Sequence, residues 1–340
     1  MPNAENNVSP VFPRCLIAGL GSIGRRHLHN LQELGCSDFV LYRTGKSTLP
    51  DDELKSFPNE TDLKVALAYN PQAAIIANPT SLHIPVSITA AQAGCHLLIE
   101  KPVSHTLENL SELVMEVERK NLKVLVGFQF RFHPGLRTIK QLLEKNAIGQ
   151  IVSAHAHWGE YLPDWHPWED YSQSYSTRAD LGGGVILTLC HPFDYLRWLL
   201  GEVKAVSAMM GQLGGLKSET EDTANISLQF ESGAIATVHL DYIQRPSSHW
   251  IEIIGQNGTI RWNNADGYVH CYSSEREDWD IISVPMNFER NTMFLEEMRH
   301  FLDCIKGSTE SLVTLNDGIR ALEIVLAAKS SITEGRIIEV

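Results

Sequence analysis

The chain has 340 residues, 43% hydrophobic and 20% charged, the balance of a globular protein with room for two cores. Its formal net charge of -13, without a Lys/Arg cluster, argues against nucleic acid as a partner, because affinity for a phosphate backbone rests on clustered cations. The cysteines (Cys15, Cys36, Cys95, Cys190, Cys271, Cys304) are scattered and form no C-x-x-C pair, which fits a reducing cytoplasm. Met1 to Pro13 lacks the basic start and apolar stretch of a signal peptide, and no later run reaches the ~20 apolar residues of a membrane span.

In chain order, Arg14 to Ala18 reads as a buried strand, Ile23 to Leu34 as a helix closed by Gly35, and Phe39 to Arg43 as a second strand. Ala73 to Ala77 and His96 to Ile99 are further short strands, separated by a helix from Ile84 to Ala93 that ends at Gly94. A helix over Leu107 to Lys120 and a strand over Lys123 to Phe128 complete an alternation that predicts a doubly wound parallel sheet. From about Gln150 the pattern turns to longer alternating strands, among them Ile226 to Phe230, Ala234 to Leu240 and Trp250 to Ile254, with turns at Ser232-Gly233 and Asn257-Gly258. Helices about Met293 to Ile305 and Asn316 to Thr333 close the chain. The division expected is a dinucleotide-binding domain over 1–130 and a mainly sheet domain for substrate and oligomer contacts over 131–340.

Between the first strand and first helix lies Gly19-Leu20-Gly21-Ser22-Ile23-Gly24. Glycines at this spacing give a tight turn, close backbone approach to a pyrophosphate, and close helix-to-strand packing, with the helix N-terminus facing the phosphates. A nicotinamide dinucleotide is therefore expected here. NAD sites place an Asp or Glu about 20 residues on, to bind the ribose hydroxyls. The segment Leu41-Tyr42-Arg43-Thr44-Gly45-Lys46-Ser47 has none, and its Arg43, Lys46 and hydroxyls suit a 2'-phosphate, so NADP is preferred to NAD. Glu100-Lys101-Pro102 follows a buried strand and sits at the carboxyl edge of the sheet, where open α/β folds bind ligands.

With the glycine turn, Asn78-Pro79-Thr80 before His83, Glu100-Lys101-Pro102, and Gly182-Gly183-Gly184 leading to His191-Pro192-Phe193-Asp194, the chain resembles the glucose-fructose oxidoreductase, inositol dehydrogenase and MocA (Gfo/Idh/MocA) family. Glu221-Asp222-Thr223-Ala224 and the Gly255 to Gly258 turn extend the resemblance over nearly the whole chain. The resemblance implies an N-terminal Rossmann domain and a C-terminal α/β domain with an open, mostly antiparallel sheet, whose face covers the nicotinamide and often makes oligomer contacts. A homo-oligomer, dimer or tetramer, is expected on that ground. It also implies cofactor contacts from Gly19, Gly21, Ser22, Ile23, Gly24, Asn78, Pro79, Thr80, His83, Glu100 and Lys101. In the same way it makes Lys101 the cation that orients substrate and polarises the reacting oxygen, and His191 the general acid-base. Chemistry agrees, because hydride reduction of a ketone leaves an alkoxide that needs a cation and a proton donor working near neutral pH. Where many relatives carry an Asp four residues before this His, the chain has Leu187, with Thr188 the nearest polar group. Asp194, three residues beyond His191, reads as a structural hydrogen-bonder.

The stretch Trp158 to Trp168 mixes aromatics with carboxylates, a composition suited to sugar faces and hydroxyls, and within it Tyr161 and Trp165 are candidate substrate contacts. Arg131, Arg178 and Arg245 are candidate anchors for a substrate carboxylate or phosphate. His155, His157 and His166 invite a metal reading, but no further ligands stand at a convincing spacing and hydride transfer requires none. The expectation is an NAD(P)-dependent oxidoreductase interconverting hydroxyl and carbonyl on a sugar-like small molecule. The alternatives are a dinucleotide-sensing protein without turnover and an imine or enone reductase.

Overall fold

The computed structural model describes residues 12–45 and 49–340. Lys46 therefore lies outside the described residues.

The first sheet is built from β1 (Cys15–Ala18), β2 (Phe39–Tyr42), β3 (Asn59–Glu60), β4 (Ala73–Ile76), β5 (His96–Ile99) and β6 (Val124–Val126), parallel throughout in the order β3-β2-β1-β4-β5-β6. β1 and β4 are buried at every residue, which is why they read as unbroken apolar runs and not as alternating ones. The crossovers carry α1 (Ser22–Glu33), α2 (Leu63–Leu67), α3 (His83–Ala93) and α4 (Leu110–Arg119), and α5 (Pro134–Glu144) leads out of the sheet. α3 ends at Gly94 with φ of 94°, a left-handed cap that only glycine takes without strain. α4 starts later than Leu107 because Asn109 takes a φ of 60° and interrupts the helical run.

The second sheet has nine strands, β7 (Ile151–Gly159), β8 (Val203–Gly211), β9 (Thr223–Phe230), β10 (Ile235–Asp241), β11 (Ser248–Gly255), β12 (Gly258–Asn263), β13 (Val269–Ser273), β14 (Asp278–Ile282) and β15 (Ile338–Glu339). Their order is β14-β13-β12-β11-β7-β10-β9-β8-β15, antiparallel except for the pair β7 and β10. β9 buries alternate residues, so one face of the sheet is core and the other is not. The buried face receives α5, α6 (Val185–Thr188), α7 (His191–Leu200) and α9 (Leu315–Glu334). On the open face His157 stacks between His239, at 4.9 Å, and Trp250, at 5.5 Å.

The last part of the chain turns back to the first sheet. α8 (Arg290–Ile305) packs on α1, where Asn291 Nδ2 donates to Asn30 Oδ1 at 2.9 Å and the Arg26 guanidinium lies over the Phe294 ring at 4.7 Å. Between α8 and α9 the backbone N–H of Val126 in β6 donates to the carbonyl of Val313 at 3.0 Å. The edge of the parallel sheet is thus completed by residues near the end of the sequence.

Two glycines of the turn are fixed by contact inside the protein. A Cβ on Gly24 would lie 1.9 Å from the Gly19 carbonyl oxygen, and one on Gly19, whose φ is 94°, would lie 2.5 Å from the Asn78 amide nitrogen. Gly24→Ala is expected to lower stability by about 1–3 kcal/mol through overpacking. Urea denaturation checks this, and an unchanged midpoint would mean that the turn relaxes without cost.

Candidate active site

The glycine turn feeds straight into α1, whose first turn has no side-chain cap and no acidic residue. Its leading N–H groups are left for an anion. Gly21 differs from its two neighbours, because a Cβ there would meet nothing within 4 Å of the protein. No internal contact demands glycine at this position, whereas close approach of a pyrophosphate would. Gly21 and Ser22 are exposed and Ile23 is half-buried, so this edge fits the phosphates of a dinucleotide.

At the end of β2 the structure supplies an acid that the strand itself lacks. Asp51 takes both terminal nitrogens of Arg43, one at 2.7 Å, and Arg25 reaches the same carboxylate at 3.3 Å. Arg25 is nearly buried and also donates to the Leu20 carbonyl at 3.0 Å and to Glu53 at 2.6 Å, bracing the glycine turn from below. Hydrogen bonding to Arg43 holds the Asp51 carboxyl below its usual range. Arg43 therefore stands at the ribose end of the site already paired with a carboxylate.

Two expected cofactor contacts turn out to be struts. His83 is only 2% exposed, and its Nδ1 and Nε2 face the carbonyl oxygens of Pro102 at 2.9 Å and Asn78 at 2.8 Å. It ties the loop after β4 to the loop after β5 and has no nitrogen left for a ligand. Glu100 is 6% exposed, with one oxygen 2.7 Å from His27 Nε2 and the other accepting the Lys101 backbone N–H at 3.1 Å. Burial alone would raise this carboxyl, but the His27 hydrogen bond and the charge of Lys101 outweigh it and hold Glu100 below the ordinary range. Both side chains are thus engaged by the protein itself. Asn78 and Pro79 are half-buried and Thr80 is buried, forming the rim next to Gly19.

Lys101, by contrast, projects across to the second unit. Its ammonium donates to the carbonyl of Thr188 at 2.7 Å. Burial tends to deprotonate it, but the fields of Tyr175, Cys190, Glu100 and Glu160 prevail and raise its pKa, so it remains a cation. His191, at the start of α7, is 1% exposed among the rings of Phe130 at 5.0 Å, Trp158 at 5.4 Å and Phe128 at 5.5 Å. Burial first, and then the neighbouring charge of Lys101, drives its pKa well below 6.5, so the imidazole is neutral at pH 7.

The same wall holds buried polar atoms: His191 Nδ1 and Trp165 Nε1 have no hydrogen-bond partner, and the Tyr242 hydroxyl reaches only the side chains of Thr188 and Ser176. Trp165 meets Tyr242 edge to face at 5.6 Å. Donors and acceptors left open beside a buried ammonium are what a polyhydroxylated molecule would satisfy. Tyr242 and Tyr175 escaped the sequence reading because neither sits in a recognisable motif. Leu187 is 2% exposed and belongs to the core, so no carboxylate reaches His191 from that position.

The arginine expectations need correction. Arg131 is 3% exposed and bound to Asp194 through Nη2 at 2.7 Å and Nε at 3.0 Å, to Asp317 at 3.3 Å, and to the Leu312 carbonyl at 2.9 Å. Four of its five N–H donors are thus used inside the protein, which places Arg131 in the helical packing and not facing a ligand. Arg178 pairs with its near neighbour Asp180 at 2.6 Å on the surface. Arg245 lies over the ring of Tyr161 at 3.9 Å, which occupies the face that Tyr161 would offer a sugar. His155 bonds Thr237 at 2.8 Å, His157 bonds Gln244 at 2.5 Å, and His166 packs on Trp168. Among the described residues no group of three or more His, Cys, Asp or Glu is placed to hold a metal, and no helix is long and apolar enough to cross a membrane.

Comparison with known proteins agrees with this geometry. The model described as "Oxidoreductase family, NAD-binding Rossmann fold" matches residues 13–128, and "Oxidoreductase family, C-terminal alpha/beta domain" matches residues 140–340. The chain belongs to the Gfo/Idh/MocA oxidoreductase family. It is 28% identical over 343 residues to the myo-inositol 2-dehydrogenase of Thermotoga maritima, covering 94% of this chain and 96% of that protein. It is 27% identical over 345 residues to the scyllo-inositol 2-dehydrogenase (NAD(+)) of Bacillus subtilis, covering 95% and 94%. A levoglucosan dehydrogenase solved with NADH and levoglucosan shares the fold, with a TM-score of 0.83 at 20% identity over 96% of this chain and 98% of that one. The protein is an oxidoreductase of this family, with an NAD-binding Rossmann domain.

The internal role of Arg131 is open to test. Asp194→Ala would leave a buried guanidinium with only Asp317 and the Leu312 carbonyl and is expected to cost about 3 kcal/mol in urea denaturation. A loss under about 1 kcal/mol would return Arg131 to the substrate side.

Proposed function

We propose that the protein interconverts a hydroxyl and a carbonyl on a sugar, sugar nucleotide or polyol, with NADP preferred to NAD. The observation that carries this reading is the Lys101 ammonium, anchored at 2.7 Å on the Thr188 carbonyl beside neutral His191 and a wall of buried polar side chains. The resemblance of the chain to two inositol dehydrogenases supports the substrate class. The division into units about 1–130 and 131–340 is kept as part of this proposal.

The turn from Gly19 to Gly24 and the N-terminus of α1 would hold the dinucleotide's phosphates, and Arg43 with Asp51 its ribose end. When bound, the dinucleotide takes up or delivers the hydride. The chain's own residues do the rest. Lys101 donates to the reacting oxygen and stabilises the negative charge that develops on it. Neutral His191 accepts the hydroxyl proton in oxidation and returns it in reduction. Because burial lowers its pKa, the base form persists below the ordinary 6.5, and the acid limb of kcat/KM for oxidation is expected below that value. Arg43 carries the cofactor preference: its second charge-assisted partner would be the 2'-phosphate, shared with or replacing Asp51.

Lys101→Met and His191→Ala should each lower turnover of a polyol panel by about 10²–10⁴-fold, with NADPH affinity unchanged. Wild type that binds NADPH but turns over no polyol or keto-sugar would instead be a cofactor-sensing protein, the reading that Leu187 keeps open and that Lys101 and His191 oppose. Arg43→Ala should weaken NADPH about tenfold or more while leaving NADH within twofold. Equal loss for both cofactors, or a clear wild-type preference for NADH, would remove NADP from the proposal.

A further inference from the structure

We propose that Arg26 and Arg290 form a phosphate site at the junction of α1 and α8, and that the sugar turned over carries a phosphoryl group, as a sugar phosphate or a sugar nucleotide. This narrows the substrate class of the preceding section and rests on its reading of the protein as a sugar oxidoreductase. Among the described residues nearly every arginine bonds an acceptor in the protein, from Arg14 on Asp38 to Arg336 on Glu334. The exceptions are Arg245, which lies on the Tyr161 ring, and the pair Arg26 and Arg290, which have neither a hydrogen bond nor an ion pair. Acidic residues outnumber basic ones by 41 to 28 in this chain, so two guanidiniums left together without an anion stand out.

One aromatic ring brings the two together. The Arg26 guanidinium lies over Phe294 at 4.7 Å, and Arg290 stands four residues before Phe294 on the same face of α8. An aromatic side chain in a helix leans back over the preceding turn, so the Phe294 ring reaches toward the turn that carries Arg290. The crossing of the two helices is pinned by Asn291, next to Arg290, which donates at 2.9 Å to Asn30, one turn beyond Arg26. Arg26 is half-buried and Arg290 exposed, which leaves the pair open on one side. The carboxylates of α8 and of the end of β5 are committed elsewhere. Glu289 accepts the Thr292 backbone N–H as the helix cap, Glu296 is bound by Arg299, and Glu100 is held by His27 and the Lys101 backbone. Glu297 is 0% exposed without a hydrogen-bond partner, and burial pushes its carboxyl well above its ordinary range, which makes it a poor counter-ion.

The position and the charge of the pair define what it would take. Arg26 lies two residues beyond Gly24 on the helix that starts at the dinucleotide turn, and the charge of Arg290 is felt at His191. The pair therefore flanks the reacting centre. Burial, and then the charge of Arg290, lower the Arg26 pKa against the pull of Glu100, a cost that a bound anion removes. Guanidinium forks match phosphate oxygens with paired N–H bonds, and two cations suit the two negative charges of a phosphate monoester or a diphosphate better than the single charge of a carboxylate. The hydroxyl-bearing ring then meets Lys101, His191 and the polar wall, while its phosphoryl group is held by the pair.

The experiment compares wild type, Arg26→Ala and Arg290→Ala as full-length protein on sugars, their 1-phosphates and their uridine diphosphate forms. Wild type should prefer a phosphorylated member over its neutral counterpart by about 100-fold or more in kcat/KM. Each variant should lower that preference by about tenfold or more, through KM more than kcat, with the Kd for NADPH moving less than twofold. A wild-type preference for neutral sugars, or a preference that neither variant changes, overturns the proposal. Loss of NADPH and NADH affinity with the preference intact would assign the pair to the pyrophosphate of the cofactor and overturn it equally. Arg26→Ala also uncovers Phe294, and if that variant does not fold, the exposed Arg290→Ala decides. If wild type turns over nothing, the functional reading fails, and melting of the NADPH-saturated protein with inorganic pyrophosphate, against sodium chloride of equal ionic strength, decides the site by itself. A wild-type rise of about 2 °C or more that both variants lack supports the phosphate site, and no rise, or the same rise in all three proteins, removes it.

Discussion

A carboxylate buried at the end of a parallel strand must be given donors, or it will not remain charged there. Glu100 obtains one from His27 on the first helix and one from the backbone N–H of the next residue. Those bonds join the helix that begins at the glycine turn to the segment that carries the cation. The dinucleotide edge and the reacting edge are thereby joined by this side chain, as they are by His83, at the carboxyl end of the sheet where the fold already directs ligands. Gly127 is part of the same constraint, since a Cβ there would stand 3.2 Å from the Glu100 carboxyl.

A second buried ionic centre does a different job. Arg131 gathers Asp194 from α7 and Asp317 from α9, and Arg197 closes the group by donating to Asp317 at 2.6 Å. It welds the helical layer of the second unit to the turn that follows β6. Its arginine was the natural candidate for holding an anionic substrate, and its geometry is indeed bidentate, but the anion is the protein's own. Once Arg131 and Arg178 are paired with neighbouring aspartates and Arg245 rests on Tyr161, the sequence's candidate arginines leave a site better suited to hydroxyl groups than to a carboxylate.

What the sequence made legible was local. Strands buried on both faces, the glycines that follow α1 and α3 and the G-x-G-x-x-G spacing are short-range patterns with short-range causes, and β1, α1, β4, α3 and β5 appeared within a residue or two of expectation. The start of α4 was missed because one asparagine took a left-handed conformation that its neighbours do not announce. Partnerships across long sequence separations were invisible. Asp51 reaching Arg43 and Asp194 reaching Arg131 each depend on how whole elements pack, and composition treats all four as ordinary charges. His83 and Glu100 were found as conspicuous residues but expected to touch the cofactor, because a motif shows that a residue is constrained without showing by what.

The hydrogen bond from Val126 to Val313 has a consequence for how the molecule is made. A chain emerging from the ribosome presents its N-terminal portion first, so the parallel sheet forms with β6 as an unpaired edge and with the α8-facing side of α1 bare. Both are covered only after residues 290–318 have been synthesised. An excised fragment ending at residue 128 would keep that open edge permanently, and exposed edges of this kind invite pairing between molecules. The first sheet is thus continuous in sequence, yet its last strand meets a segment made close to the end of the chain.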